Sequence, residues 1–408
     1  MKPLLTVFLV VSATSCLAAD KAATPSLFTE ISDISRDLEQ ITGLKFSHPV
    51  PSAVIDKEHL RKFLESRVNK SIKPDDLKAE SLTLKMLGLV PQDFDLRQQT
   101  VDLLTEQASA FYDYQKKKLF LLDGDAGEAG LMALAHELGH ALADQNFNLR
   151  KYIKEDTESD DAATARMAVM EGQATWLMSA YLHMRAGLGP DVPQETVEVV
   201  SKSLDQGGEQ YPVFSKSPLY IRESLVFPYK GGMLFQDAVY RKLGKASFAE
   251  VFRRPPLSTH QIMHPEAYLD KVGPTLPPAP EIPDPRRYRK LADGTLGEFD
   301  IDILCRQYGS EEQAQSIDPE LQGSQFTLFE EKKEKYPVLA FSTKWSSPKK
   351  AGEFLKFYRQ VLEKKSKTFD VSSESPDALA GHDDAGFFRV TRKNDVVECV
   401  EGLKSSLN

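Results

Sequence analysis

The sequence predicts an α+β protein, mainly α-helical, ending in a small α/β module. Three observations predict it. Apolar residues recur at helical spacing through most of residues 26–270. Prolines at 274, 277, 278, 280, 283 and 285 then interrupt the chain, because proline cannot sit inside a helix and suits an extended linker or strap. Beyond them, short apolar runs surround one amphipathic helical stretch. The expected division is 1–19 as an export signal, 20–272 as the main domain, 273–286 as linker and 287–408 as the terminal module. Within the main domain, 26–108 reads as a helical part and 109–272 as its core.

The chain has 408 residues, 41% hydrophobic and 27% charged, with a formal net charge of -9. These values fit a folded globular chain. The negative balance gives a nucleic-acid role no electrostatic footprint. Lys2, the apolar run Leu4 to Ala13 and the small residues around Cys16-Leu17-Ala18-Ala19 read as a signal for export, to the periplasm or beyond the cell. A lipid anchor on Cys16 is the variant reading, although the usual Leu three residues earlier is missing. No later segment is long and apolar enough to span a bilayer. Cys305 and Cys399 can pair in an oxidising compartment or stay as buried thiols, and both alternatives are open.

The elements follow in order. Ile31, Ile34, Leu38 and Ile41 mark a first helix, and Ala53 to Ile55 a short strand. Helices are expected near Leu60–Val68, Leu77–Leu87 ending at Gly88, and Leu96–Gln107. Ala110 to Tyr112 and Lys118 to Leu122 read as two strands, the first at a sheet edge where a peptide could add. Asp125 with Glu128 is a capping-box pattern opening a helix over about 126–143. A second long helix is expected over about 161–186, with Asp160 and Asp161 as its acidic start. Helices are expected near 195–204, 219–225, 232–243 and 248–252. Pro228 and Gly231-Gly232 suggest an irregular turn between the middle two. Ser258-Thr259-His260-Gln261 opens another helix that Pro265 closes. In the terminal module, 296–308 and 348–362 read as helices, 326–329 and 338–341 as strands, and 387–391 with 396–400 as a hairpin.

The chemistry concentrates in Ala135-His136-Glu137-Leu138-Gly139-His140. Residues i and i+4 share a helix face, so His136 and His140 can aim imidazole nitrogens at one ion. Glu137 then lies beside that ion, where a carboxylate can take a proton from water. Thirty-odd residues on, Glu171 sits among Met167, Val169, Met170, Ala174 and Leu177. A carboxylate on so apolar a helix is costly to bury unless it is paired or binds a metal. Gly172 and Ala174 are small enough to let this helix approach the histidine helix. Two imidazoles and one carboxylate suit one Zn2+ ion with an open fourth position.

His136-Glu137-Leu138-Gly139-His140 followed by Glu171-Gly172-Gln173-Ala174 resembles the gluzincin arrangement, in which two His on one helix and a Glu on the next bind zinc. More closely, the chain resembles uncharacterised bacterial and archaeal zincin-like metallopeptidases, through Ala110–Asp113, Ala135–Gln145 with Phe147, Glu171–Thr175, Phe227–Gly232 and Ser258–Glu266, over roughly 36–270. The resemblance implies a zincin-like catalytic domain that hydrolyses peptide bonds in a peptide or protein substrate. Gly139 and Ala143 depart from the group. Thr175 stands where some gluzincins carry an acidic residue that orients a ligand. Tyr229 is the first candidate to donate to the developing oxyanion, and His264 the second. His260 is a weaker candidate. His48, His59, His183 and His382 read as structural or surface residues. The competing reading is a zinc-stabilised, non-catalytic scaffold of the cell envelope.

Overall fold

A computed structural model describes residues 24–405 apart from 72, 108, 125–126, 155–158, 207 and 209–210. The segment expected to be an export signal, Cys16 with its variant lipid anchor, and the Asp125 end of the expected capping box lie outside the described residues. The architecture is mixed α+β, 57% helical and 19% strand. No helix among the described residues is long and apolar enough to cross a membrane.

The helical part begins with α1 (Thr24–Thr42), β1 (Ser52–Ile55), α2 (Lys57–Ser71), α3 (Pro74–Leu87) and α4 (Leu96–Gln107). Gly88 ends α3 in the left-handed conformation, φ 75°, and its N–H donates back to the carbonyls of Leu84 and Lys85. β2 (Ala110–Asp113) and β3 (Lys118–Leu122) form an antiparallel hairpin, and β1 joins β3 in parallel. β2 is therefore an edge strand by order. All four of its residues are nonetheless buried, which leaves no exposed edge for an added peptide. The helix α5 (Gly127–Phe147) packs against it.

After α6 (Leu149–Lys154) comes α7 (Asp160–Arg185), which packs against α5. Its N-cap is Ser159, whose hydroxyl accepts from the Ala162 N–H. Next are α8 (Gln194–Gln206), α9 (Pro212–Lys216) and α10 (Leu219–Leu243). The expected break in α10 is absent: the helix runs through Pro228. The glycines there serve close packing instead of a turn. A Cβ on Gly232 would lie 1.9 Å from the Ala168 carbonyl oxygen, so α7 and α10 touch backbone to backbone. Packing of this kind overrides local propensity.

The short helices α11 (Ser247–Arg253), α12 (Thr259–Met263) and α13 (Pro265–Leu269) lead to the proline-rich strap. The strap is tied down: Thr275 N–H donates to the Gln322 carbonyl at 2.7 Å, and Ser342 Oγ donates to the Pro278 carbonyl at 2.6 Å. Beyond it lie β4 (Tyr288–Gly294), α14 (Glu298–Tyr308), α15 (Glu311–Ile317), β5 (Leu321–Glu331), β6 (Pro337–Trp345), α16 (Pro348–Lys365), β7 (Phe369–Ser375), β8 (Ala378–Asp383), β9 (Phe387–Lys393) and β10 (Val396–Leu403). Their seven strands pair in the order β4-β5-β6-β10-β9-β8-β7, antiparallel throughout. The expected α/β module is thus an antiparallel sheet with helices on one face. Hairpins and short connections build such a sheet, whereas parallel pairing needs crossovers.

Strand alternation sorts the sheet's two faces. On β6, Leu339 and Phe341 enter the core with α14 and α16, while Val338 and Ala340 join Ile282 of the strap on the other face. Leu84 and Leu87 of α3 belong to the same core as α14 and α16, so residues from both sides of the strap share one core. Cys305 and Cys399 are both free, buried thiols.

Candidate metal centre

α5 delivers His136, Glu137 and His140, and each is almost wholly buried, at 3%, 0% and 1% exposure. Leu131, Leu134, Leu138 and Leu142 seat the helix in the apolar interior. α7 delivers Glu171, 2% exposed. The close approach of α5 and α7 is made at Gly139, where a Cβ would stand 3.3 Å from the Cα of Ala174. Gly172 faces the other way, onto Gly232 of α10. Of the two small residues expected to face the histidine helix, Ala174 does so and Gly172 does not.

The three ligand atoms converge. His136 Nε2 is 3.2 Å and His140 Nε2 3.4 Å from Glu171 Oε2, and the two Nε2 atoms are 3.0 Å apart. Ligands about 2.0–2.1 Å from a tetrahedral zinc are about 3.3 Å from one another. The observed spacings match three edges of such a tetrahedron. The group is therefore one that could hold a metal ion, and its donor chemistry fits zinc.

The ionisation state fits as well. Burial lowers the His140 imidazole to about 4, leaving it neutral at pH 7. Burial opposes ionisation of Glu171, but its electrostatic interaction with His140, which acts where that imidazole is protonated, and hydrogen bonds from both imidazoles outweigh it and hold the carboxyl at about 2. A neutral imidazole at His140 and an ionised carboxylate at Glu171 are the forms that bind a metal.

Tyr229 reaches this centre from α10. Its ring stacks on His136, with centroids 5.9 Å apart at 25°. Its hydroxyl is hydrogen bonded to Glu171. Burial, with the negative charges of Glu171 and Glu137, raises the phenol far above its usual pKa and keeps it a donor. Thr175 does not orient a ligand side chain, because its hydroxyl donates to the Glu171 backbone carbonyl at 2.7 Å.

The expected oxyanion role of His264 is not supported by its placement. It belongs to a second group with His260 and Glu298. His264 Nε2 is 2.7 Å from Glu298 Oε1, and His260 Nδ1 bonds the other carboxylate oxygen. The hydrogen bond that His264 donates to Glu298 raises the pKa of His264, while the two imidazoles hold Glu298 below its usual range despite burial. Asp161 also does more than start a helix: its Oδ1 accepts from the Thr259 N–H at 2.9 Å and hydroxyl at 2.6 Å.

Two acids escaped the sequence reading. Asp144, one turn beyond His140, is buried and accepts from Tyr112 Oη at 2.8 Å, Lys117 Nζ at 2.6 Å and the Leu149 N–H at 2.9 Å. Its i+4 offset from His140 and its place on an apolar helix were the available signals. Tyr112 is accordingly buried with its hydroxyl on Asp144 instead of open to a peptide. Glu298 gave no comparable signal, since its partners lie across the proline-rich strap.

Comparison of the chain with protein-family models, curated proteins and solved structures finds no match.

Proposed function

We propose that the chain is an exported zinc-dependent metallopeptidase of the gluzincin kind, hydrolysing peptide bonds in peptides or proteins. The observation that carries this reading is the convergence of His136, His140 and Glu171 within tetrahedral ligand spacing, with Glu137 next to the first ligand on the same helix. His136, His140 and Glu171 would hold the ion. Bound there, zinc supplies Lewis-acid chemistry, acidifying water and polarising a carbonyl.

Glu137 takes the proton of the attacking water and returns it to the leaving amine, the task of a general base that becomes a general acid. A purely structural ion has no use for this carboxylate. Tyr229 stays protonated in its buried position, orients Glu171 through its hydroxyl, and serves as a donor to a developing oxyanion.

The near-complete burial of all four side chains favours a second reading, a zinc-stabilised scaffold without hydrolytic activity. Metal content and activity separate the two. Purified wild type should carry zinc and cleave unfolded protein or peptide libraries. The Glu137→Gln variant should carry zinc and cleave nothing. Equal turnover by wild type and variant would falsify the peptidase reading. Zinc without cleavage in either would support the scaffold.

A further inference from the structure

A second set of two histidines four residues apart and one carboxylate lies where the helical part meets the sheet. Ser258 caps α12, its hydroxyl accepting from the Gln261 N–H at 3.3 Å. Thr259 ties three elements together. It donates to Asp161 at the start of α7, and its hydroxyl accepts from the Phe299 N–H of α14 at 3.2 Å. Gly297 lets α14 come this close, because a Cβ there would fall 1.9 Å from Asp161 Oδ1 and 2.4 Å from Thr259 Oγ1. These contacts deliver Glu298, its side chain 1% exposed, so that one carboxylate oxygen bonds His260 and the other His264, whose ring centroids are 4.6 Å apart.

We propose that His260, His264 and Glu298 form a second binding site for a divalent transition-metal ion of the zinc class, distinct from the His136–His140–Glu171 centre. One ligand atom from each residue lies within 4.8 Å of the others. Two imidazoles and a carboxylate suit zinc, cobalt or nickel and not magnesium or calcium, which prefer oxygen ligands alone.

Two further observations separate this group from an ordinary hydrogen-bonded triad. First, the imidazoles are 27% and 30% exposed, and His260 and Glu298 line a cavity of about 400 Å³ together with Asp161. Such a cavity leaves room for water in the remaining coordination positions. Second, a buried carboxyl beside it lacks a partner for one oxygen. Asp318 is 4% exposed, its Oδ1 accepts no hydrogen bond among the described residues, and its carboxyl interacts electrostatically with both Glu298 and His264. Burial raises this carboxyl to about 8, and a cation bound beside it would favour its ionised form.

The ion would bridge α12 to α14 and so close the 34-residue span between His264 and Glu298 that carries the proline-rich strap. It would act as a clip fixing the sheet module to the helical part.

The test is metal stoichiometry on the full chain, stripped with chelator and then titrated with Co2+ alone, followed by visible absorption and equilibrium dialysis. Wild type should bind two ions. Glu298→Gln and, separately, His264→Gln should each bind one, and Glu171→Gln should retain the ion that those variants lose. Circular dichroism checks that each variant is folded, and either of the two suffices if the other does not fold. Two ions in the folded Glu298→Gln or His264→Gln variant would overturn the assignment. So would a wild-type chain binding a single ion that Glu171→Gln removes. A single ion lost in Glu298→Gln and kept in Glu171→Gln would uphold this site and count against the first centre.

Discussion

Gly172 of α7 and Gly232 of α10 meet without side chains between them: a Cβ on Gly172 would fall 1.9 Å from the carbonyl carbon of Gly232. Glu171, a metal ligand in the proposed function, precedes one of these glycines, and Tyr229 lies three residues before the other. The crossing therefore sets the distance between the carboxylate and the phenol that bonds it.

Gly172→Ala should consequently separate α7 from α10. Overpacking of a tight core costs about 1–3 kcal/mol, and contact with backbone on both sides places this change at the upper end. Denaturant unfolding should show the loss, and zinc retention should weaken with it. A variant as stable as wild type would contradict the close crossing.

Tyr229→Phe should keep the ring on His136 and remove only the hydroxyl. Losing a hydrogen-bonding partner of a ligand typically weakens metal affinity about 10–100-fold, and losing an oxyanion donor lowers kcat about 100–1,000-fold. Steady-state kinetics under saturating zinc isolates the second effect. A variant with full kcat under saturating zinc would restrict Tyr229 to orienting Glu171.

Asp144→Ala should destabilise the protein by about 3 kcal/mol, since it strands the Tyr112 hydroxyl and the Leu149 N–H in the interior. Lys117, 43% exposed, can turn to solvent and moderates the cost. Asp144→Asn, which keeps an acceptor, should cost less. Equal unfolding midpoints for all three proteins would show that this acid is not structural.

Stability should fall as pH rises above the ordinary carboxylate range because of Asp383. Its burial, followed by the nearby Glu401, raises its pKa above 3.8, against the opposing N–H groups of Ala385 and Gly386 and the charge of Lys365. The folded chain therefore binds more protons than the unfolded chain above that value, and the sign of linkage makes stability fall with pH across this window. Asp383→Asn should flatten the fall while keeping an acceptor for Ala385 and Gly386. Chemical unfolding of wild type and variant from pH 4 to 7 measures the difference, and parallel curves would dismiss Asp383 as a contributor.

The sequence by itself determined the local elements and the composition of the first centre. Helical periodicity marked α5 and α7, the i, i+4 histidines followed from the geometry of one helix, and an acid among methionines on the next marked Glu171. These are short-range signals, read within a few residues. Only the tertiary structure decided what lies between elements. It carried α10 straight through Pro228, because contact with α7 outweighs a local breaker. It paired the terminal strands antiparallel throughout and bonded the buried Tyr112 to Asp144. It also brought Glu298 to His260 and His264 from 38 and 34 residues away. Such pairings depend on which surfaces bury one another, and no local spacing encodes that.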